Sequence, residues 1–228
     1  MHMDEYLKVK DMTYLQYCNY LQDKYGIGLC NYMTSGFNVR SECKRTKEGL
    51  LTHHKKEDTM VQLSTPSIAR LFPISWQSAE ELVYCDLLEH LLLHVLIYKY
   101  PSADKIPDVE VGIGGIINYI VPELNDVYSG WKTNQVWRYN CHSKVINDVE
   151  VYLAILGQFM EVYGVEVFDL RLLFRSMNAA FGLWDIENDY VMFYLIGTLW
   201  KEKIQCVRRY PIGMKERNEY VFSLFRRS

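Results

Sequence analysis

Apolar and polar residues recur along most of the chain at the spacing of helices. Residues 1–32 carry aromatic and aliphatic side chains with this period, and Gly26 ends the pattern because glycine readily supplies a helix stop. The same period returns in residues 148–163, 168–181 and 188–205. The pattern therefore predicts a chain that is mostly helical.

Two short apolar runs interrupt this pattern and predict a small β-containing unit near residues 30–100. Residues 49–53 predict one strand, and residues 82–85 are compatible with a buried strand, although so short a run also fits a helix. Residues 57–77 show no sustained period and predict a long loop with room for one short helix. The expected fold class is α+β, mostly helical.

A helix is predicted directly after the second apolar run. Asp86 is followed three positions later by Glu89, which matches a capping box in which both carboxylates satisfy amides of the first turn. The helix is expected to run from 86 to about 98, before Pro101.

Charge is nearly balanced, with 25 Lys and Arg against 28 Asp and Glu and a net charge of −3. This balance argues against a protein that coats nucleic acid without specificity, but basic residues are concentrated at 40–56 and 201–227. These stretches are either phosphate-contacting surfaces or, alternatively, a solvated face and a loose tail. The candidate phosphate contacts in the first stretch are Arg40, Lys44, Arg45 and Lys47.

The sequence has no run of about 18 uncharged apolar residues, and its first residues are polar and acidic, unlike a secretory or transit peptide. We therefore expect a cytoplasmic protein without a membrane partner. Its six cysteines are then expected to be reduced and buried, since no tight cysteine framework accompanies them. Zinc ligation by Cys18, Cys30 and Cys43 stays open as an alternative.

Four histidines carry the clearest chemical signal. His90 and His94 are four positions apart on the predicted helix, so both imidazoles project from one face and can reach one metal ion. His53 and His54 end the first strand, where neighbours point to opposite sides, so one can face the helix and the other a substrate groove. A divalent ion beside a neutral imidazole base suits phosphodiester hydrolysis. The alternative is a set of structural histidines.

A glycine cluster at residues 112–115 is not followed by the Gly-Lys-Ser/Thr sequence of a nucleotide-binding loop. We interpret it as a helix-opening turn or a site of tight packing.

The order of these segments resembles that of the HNH endonucleases. The resemblance rests on GLLTHH at residues 49–54 and LVYCDLLEHLLLH at residues 82–94, and it covers about residues 49–98. It implies a ββα-metal (His-Me finger) core, in which a hairpin and one helix hold a metal ion. It also implies that His53, His90 and His94 are the metal ligands and that His54 is the general base that activates water.

One part of the family pattern is missing. The family usually has an Asn just before the second strand, and this chain has QSAEE at residues 77–81 instead. Gln77 is a candidate to replace that Asn through its amide. Glu57 is a candidate to orient one of the histidines. Asp86 and Glu89 are better explained as caps than as metal ligands.

The resemblance also implies a cofactor and a domain organisation. The expected cofactor is one divalent ion (Mg, Mn, Zn or Ni), and three imidazoles suit zinc, nickel or manganese better than magnesium. Residues 1–100 would hold an N-terminal helix and the nuclease core at about 45–98. Residues 101–228 would form a mainly helical region that binds DNA or forms a homodimer.

The function implied is that of an endonuclease that hydrolyses DNA in restriction, in a phage or in a mobile element. The alternative is a non-catalytic DNA-binding or interaction protein that keeps an HNH-like core as a metal-stapled scaffold. Action on RNA stays open, because a hydrolytic site of this kind does not indicate whether the sugar of the substrate is ribose or deoxyribose.

Overall fold

Helices dominate the computed structural model, which describes residues 1–128, 132–163 and 177. Its helices are α1 (Met3–Val9), α2 (Tyr14–Tyr25), α3 (Pro66–Ala69), α4 (Leu87–Lys99), α5 (Ile113–Gly115), α6 (Val121–Tyr128), α7 (Val136–Val145) and α8 (Val149–Tyr163). A π-helical segment, Ile116–Ile120, joins α5 to α6. None of these described helices is both long enough and apolar enough to cross a membrane.

Two strands, β1 (Leu51–His54) and β2 (Leu82–Cys85), form an antiparallel pair in which His53 lies opposite Val83 and His54 opposite Leu82. The predicted α+β, mostly helical fold class is confirmed. The helices predicted at 168–181 and 188–205, and the basic stretch at 201–227, lie outside the described residues apart from position 177.

The N-terminal helical pattern forms two helices, of which α2 packs against β2 and α4. Thr13 begins α2 with a capping box: its amide donates to Oε1 of Gln16 at 2.9 Å, and its hydroxyl accepts from the Gln16 amide at 3.3 Å. Gly26 ends the helix with φ +84°, a left-handed backbone that favours glycine. The predicted helix stop is confirmed.

Asp86 and Glu89 cap the buried helix α4. The Glu89 amide donates to Oδ1 of Asp86 at 2.8 Å, and the Asp86 amide donates to Oε2 of Glu89 at 2.6 Å. Lys24 of α2 donates to Oε1 of Glu89 at 2.7 Å, so the buried carboxylate has a charged partner. Both acids are therefore engaged at the helix start, as the capping pattern predicted.

The connection between β1 and β2 contains short turns rather than long elements. It is made of the 3₁₀ turns Lys55–Asp58, Ile74–Gln77 and Ala79–Glu81 together with α3. Within this connection, the side chains of Leu63 and Gln77 are buried. The long loop with one short helix is thus observed as expected.

The chain divides into two compact units. The first comprises Met1–Ile116 and Thr133–Ile155, and the second comprises Ile117–Lys132 and Leu156–Ser228. All four histidines of the motif belong to the first unit. That unit extends beyond the boundary predicted near residue 100, because α7 packs against α4 and against the turn Thr46–Glu48.

The cysteines differ in part from the expectation. Cys30 and Cys43 form a disulfide, so the predicted reduced state is wrong for this pair. Residues 31–42 between them fold back on themselves, which brings together two cysteines that are 13 positions apart. Cys18, Cys85 and Cys141 are free and buried, as expected. The disulfide also removes the zinc alternative for Cys18, Cys30 and Cys43.

Replacing the cap of α4 tests the contribution of this capping box to stability. Asp86→Ala leaves the buried Glu89 amide without its acceptor and the buried N-terminal ammonium of Met1 without its partner, so we expect it to lower the free energy of unfolding by about 3 kcal/mol. Thr13→Ala, which removes the exposed cap of α2, is the matched control and should cost about 1 kcal/mol. Urea unfolding of the metal-free protein measures both. A loss for Asp86→Ala no larger than the control would contradict the prediction.

Candidate metal centre

Three histidines from two elements meet beside the sheet. The ring of His53, at the end of β1, lies 5.3 Å from the rings of both His90 and His94 on α4, between centroids. The rings of His90 and His94 are 4.8 Å apart, as their spacing of one helical turn requires. One nitrogen from each of the three lies within 4.8 Å of the others. This buried group could hold a metal ion.

Tyr14 of α2 orients the ring of His53. Its hydroxyl donates to the carbonyl of Lys55 at 3.0 Å and lies 2.9 Å from Nε2 of His53. With the hydroxyl proton donated to the Lys55 carbonyl, Nε2 of His53 donates to the hydroxyl oxygen, and Nδ1 of His53 then carries the lone pair. That Nδ1 is buried and has no hydrogen-bond partner among the described residues.

A backbone carbonyl orients the ring of His94. Nδ1 of His94 donates to the carbonyl of Gly112 at 3.1 Å, which leaves the Nε2 lone pair for another partner. Gly112 has φ +83°, and a Cβ at position 115 would lie 2.3 Å from Cε1 of His94. The glycine cluster therefore packs tightly over this ring, which agrees with its interpretation from the sequence.

The buried nitrogens of the group fit a cation. Nδ1 of His90, like Nδ1 of His53, is buried without a hydrogen-bond partner in the described part of the chain. An unsatisfied buried polar atom is unfavourable, and few such atoms occur in a folded protein. Since one nitrogen of each of the three rings also lies within 4.8 Å of the others, the group fits a metal ion.

Electrostatics keep these rings neutral. Burial, followed by the neighbouring imidazoles, lowers the pKa of His53 and of His90 well below the ordinary value, and burial lowers the pKa of His94 to about 4. Neutral imidazole is the form that coordinates a metal.

Glu57 lies at the edge of the histidine group, as the sequence suggested. Its Oε2 is 3.5 Å from Nε2 of His94 and 3.7 Å from Nδ1 of His53. Burial raises the pKa of this carboxyl to about 7. A cation held by the histidines would favour the ionised form of Glu57, which is close enough to interact with it.

His54 points to the other side of β1. Its Nε2 lies 3.0 Å from Oε1 of Gln77, whose own amide nitrogen donates to the carbonyl of Leu63 at 3.1 Å. The ring of Tyr32 packs edge-on against His54 at 4.6 Å between centroids, and His54 is 1% exposed. The sequence predicted a groove here, and the structure has a buried ring instead. Burial lowers the pKa of His54 to about 4.

The four candidate phosphate contacts differ in their surroundings. Arg45 is bound to Glu48 through a 2.7 Å contact between Nε and Oε1, and its guanidinium packs on the ring of Tyr84 at 4.9 Å. Its side chain therefore makes contacts within the fold, to Glu48 and to Tyr84 of β2. Arg40, Lys44 and Lys47 are exposed. Of the four, Lys44 lines a surface cavity whose lining also includes His90.

Tyr14 and Gly112 are the contributors that the sequence reasoning missed. Tyr14 lies 39 positions from His53, and no motif marks it. The glycine cluster was visible in the sequence, but its contact with His94 depends on how the chain returns after α4.

Comparisons with known protein families, with curated proteins and with solved structures found no match.

Adding one methyl group at position 115 tests the glycine contact. Gly115→Ala places a Cβ too close to ring atoms of His94, so the ring must shift and we expect zinc affinity to fall by about 10- to 100-fold. Gly157→Ala is the matched control, because nothing lies within 4 Å of a Cβ there. Isothermal titration calorimetry with Zn²⁺ measures both affinities. Unchanged zinc affinity in Gly115→Ala would show that the glycine does not position His94.

The buried imidazoles predict how stability depends on pH. With pKa values lowered in the folded state, the unfolded chain binds more protons below about pH 6.5, so the metal-free protein should lose stability as pH falls from about 6.5 to about 4. Glu57 acts oppositely, since its raised pKa favours the folded state as pH falls from about 7 to about 4.5. Glu57→Gln should therefore steepen the loss by up to about 1.4 kcal/mol per pH unit.

Urea unfolding of the wild type and of Glu57→Gln at several pH values between 4 and 7 checks this. Glu42→Gln is the control, since this carboxyl is exposed and its hydrogen-bond partner is Ser41 rather than a histidine. A slope that is the same for wild type and Glu57→Gln would contradict the prediction.

Proposed function

We propose that this protein is a metal-dependent endonuclease of the HNH type that hydrolyses phosphodiester bonds in DNA. The observation that carries the proposal is the meeting of one strand histidine and two helix histidines around buried, unpaired nitrogens. The order β1, long connection, β2 and α4 supports a ββα-metal core, with the ion at the junction of hairpin and helix.

His53, His90 and His94 would hold one divalent ion. Three imidazoles suit zinc, nickel or manganese better than magnesium. When bound, the ion supplies positive charge that stabilises the negative charge developing on the phosphate and the leaving oxygen. Tyr14 and Gly112 keep two of the rings turned so that a lone pair of each remains available.

His54 is the proposed general base. Its lowered pKa leaves the imidazole neutral at pH 7, and Gln77 holds Nε2 while the other ring nitrogen can accept a proton from water. The ring is buried and Tyr32 packs against it, so we propose that Tyr32 moves when water reaches His54. Tyr32 is therefore part of the proposed catalytic cycle. The sequence suggested that Gln77 replaces the Asn of the loop through its amide. In the proposed mechanism the same amide holds the ring of the base, His54.

DNA contacts are assigned to Lys44, with Arg40 and Lys47 on the same exposed stretch. Arg45 stays a predicted contact, and its bonds to Glu48 would compete with a phosphate. A homodimer, a cytoplasmic location and a place in restriction, in a phage or in a mobile element stay predictions.

The buried position of His54 favours a second candidate. A chain in which the base stays covered would bind a metal and DNA without cutting, and the histidine group would then act as a staple for the fold. The two candidates differ in turnover.

A plasmid-nicking assay separates them. We expect the wild type to nick supercoiled DNA with at least one of Mg²⁺, Mn²⁺, Zn²⁺ or Ni²⁺, and EDTA to stop the reaction. His54→Ala should lower the rate by about 100- to 10,000-fold, because the base is lost, while zinc affinity stays nearly unchanged. His2→Ala, which removes an exposed imidazole bound to Asp148, is the control.

Full nicking by His54→Ala would refute the assignment of the base. Absence of nicking with all four ions, together with DNA binding, would favour the non-catalytic scaffold. Equal cleavage of RNA and DNA would contradict the assignment of DNA as the substrate.

A further inference from the structure

A cavity of about 370 Å³ opens beside the metal centre. It is connected to both parts of the site, because its lining residues include His90 and also Tyr32, which packs against His54. The side chains that matter for its chemistry are Tyr32, Lys44, Thr46, Thr52, His90 and Trp137. No role described so far uses Thr46, Thr52 or Trp137.

The polar side chains of this cavity suit a phosphate. Lys44 is exposed and forms no ion pair with any described acidic residue, so its charge is available to a ligand. Thr46 and Thr52 add hydroxyl groups on the same walls. A lysine with adjacent hydroxyls is a common way of binding a phosphate group.

The aromatic wall suits a base. Trp137 lies in the first turn of α7 and is 46% exposed, so one part of the indole packs against the protein while the rest faces outward. Aromatic side chains of this kind form platforms on which unpaired bases stack. The volume lies within the range of pockets that hold one small molecule, which matches a single nucleotide.

We propose that this cavity binds one unpaired nucleotide of a DNA strand, with the base stacked on Trp137 and a phosphate on Lys44. The inference rests on the proposed nuclease function and deepens it, since it names the form of the substrate. Because His90 also lines this cavity, a nucleotide held here would lie beside one of the proposed metal ligands. The strand must then be single, frayed or have this base turned out of the helix.

Binding to oligonucleotides tests the proposal in the full-length chain. The protein carries His54→Ala to prevent cleavage and is loaded with Zn²⁺. Fluorescence anisotropy then compares labelled (dT)10 with a ten-base-pair duplex. We expect (dT)10 to bind more tightly, and dTMP to compete with it better than inorganic phosphate does.

Two substitutions locate the site. Trp137→Ala should weaken binding of (dT)10 by about 5- to 150-fold, and Trp137→Phe, which keeps an aromatic ring, should restore most of it. Lys44→Ala should reduce the slope of log affinity against log salt by about 0.7. The controls are Tyr139→Ala, an aromatic side chain 60% exposed on the same helix, and Lys10→Ala, which removes a lysine paired with Asp11.

The outcomes separate this inference from the nuclease function. Nicking by the wild type, together with unchanged (dT)10 binding in Trp137→Ala, would overturn the nucleotide site and leave the nuclease standing. Binding of (dT)10 that needs Trp137, without nicking under any ion, would support the nucleotide site and overturn the nuclease. Equal competition by phosphate and dTMP would overturn the base-stacking part of the proposal.

Discussion

Desolvation of three imidazole rings is the constraint on which the rest of the candidate site depends. Burial keeps His53, His90 and His94 neutral, so each ring has one nitrogen that donates and one that accepts. The chain supplies acceptors for the donors of His53 and His94 through Tyr14 and Gly112. One nitrogen of each ring lies within 4.8 Å of the others, so the three rings could hold one cation together. Binding of an ion there would link metal binding to folding.

Local patterns predicted the elements that carry the site. The capping pair Asp86 and Glu89, the helical spacing of His90 and His94, and the short apolar runs all depend on residues close together in the chain. Such signals survive in a single sequence because the geometry of one turn or one strand determines them. The α+β class and the histidine group follow from them directly.

Contacts between distant segments could not be predicted in the same way. Strand alternation indicated that His53 and His54 face opposite sides, but it could not reveal that Tyr32 covers His54, because that requires the path of residues 30–43. The disulfide between Cys30 and Cys43 was missed for the same reason. The sequence also did not indicate that Arg45 packs on the ring of Tyr84, which lies 39 positions away.

The groups that orient the histidines come from outside the segment that bears them. Tyr14 precedes that segment by one helix and a long turn, and Gly112 follows it after α4 has ended. An excised peptide of residues 49–98 would keep all three rings and lose both orienting groups. A minimal domain cut to this segment would therefore hold an ion less well than the intact chain. The segments on either side contribute to the proposed metal site as well as to the fold.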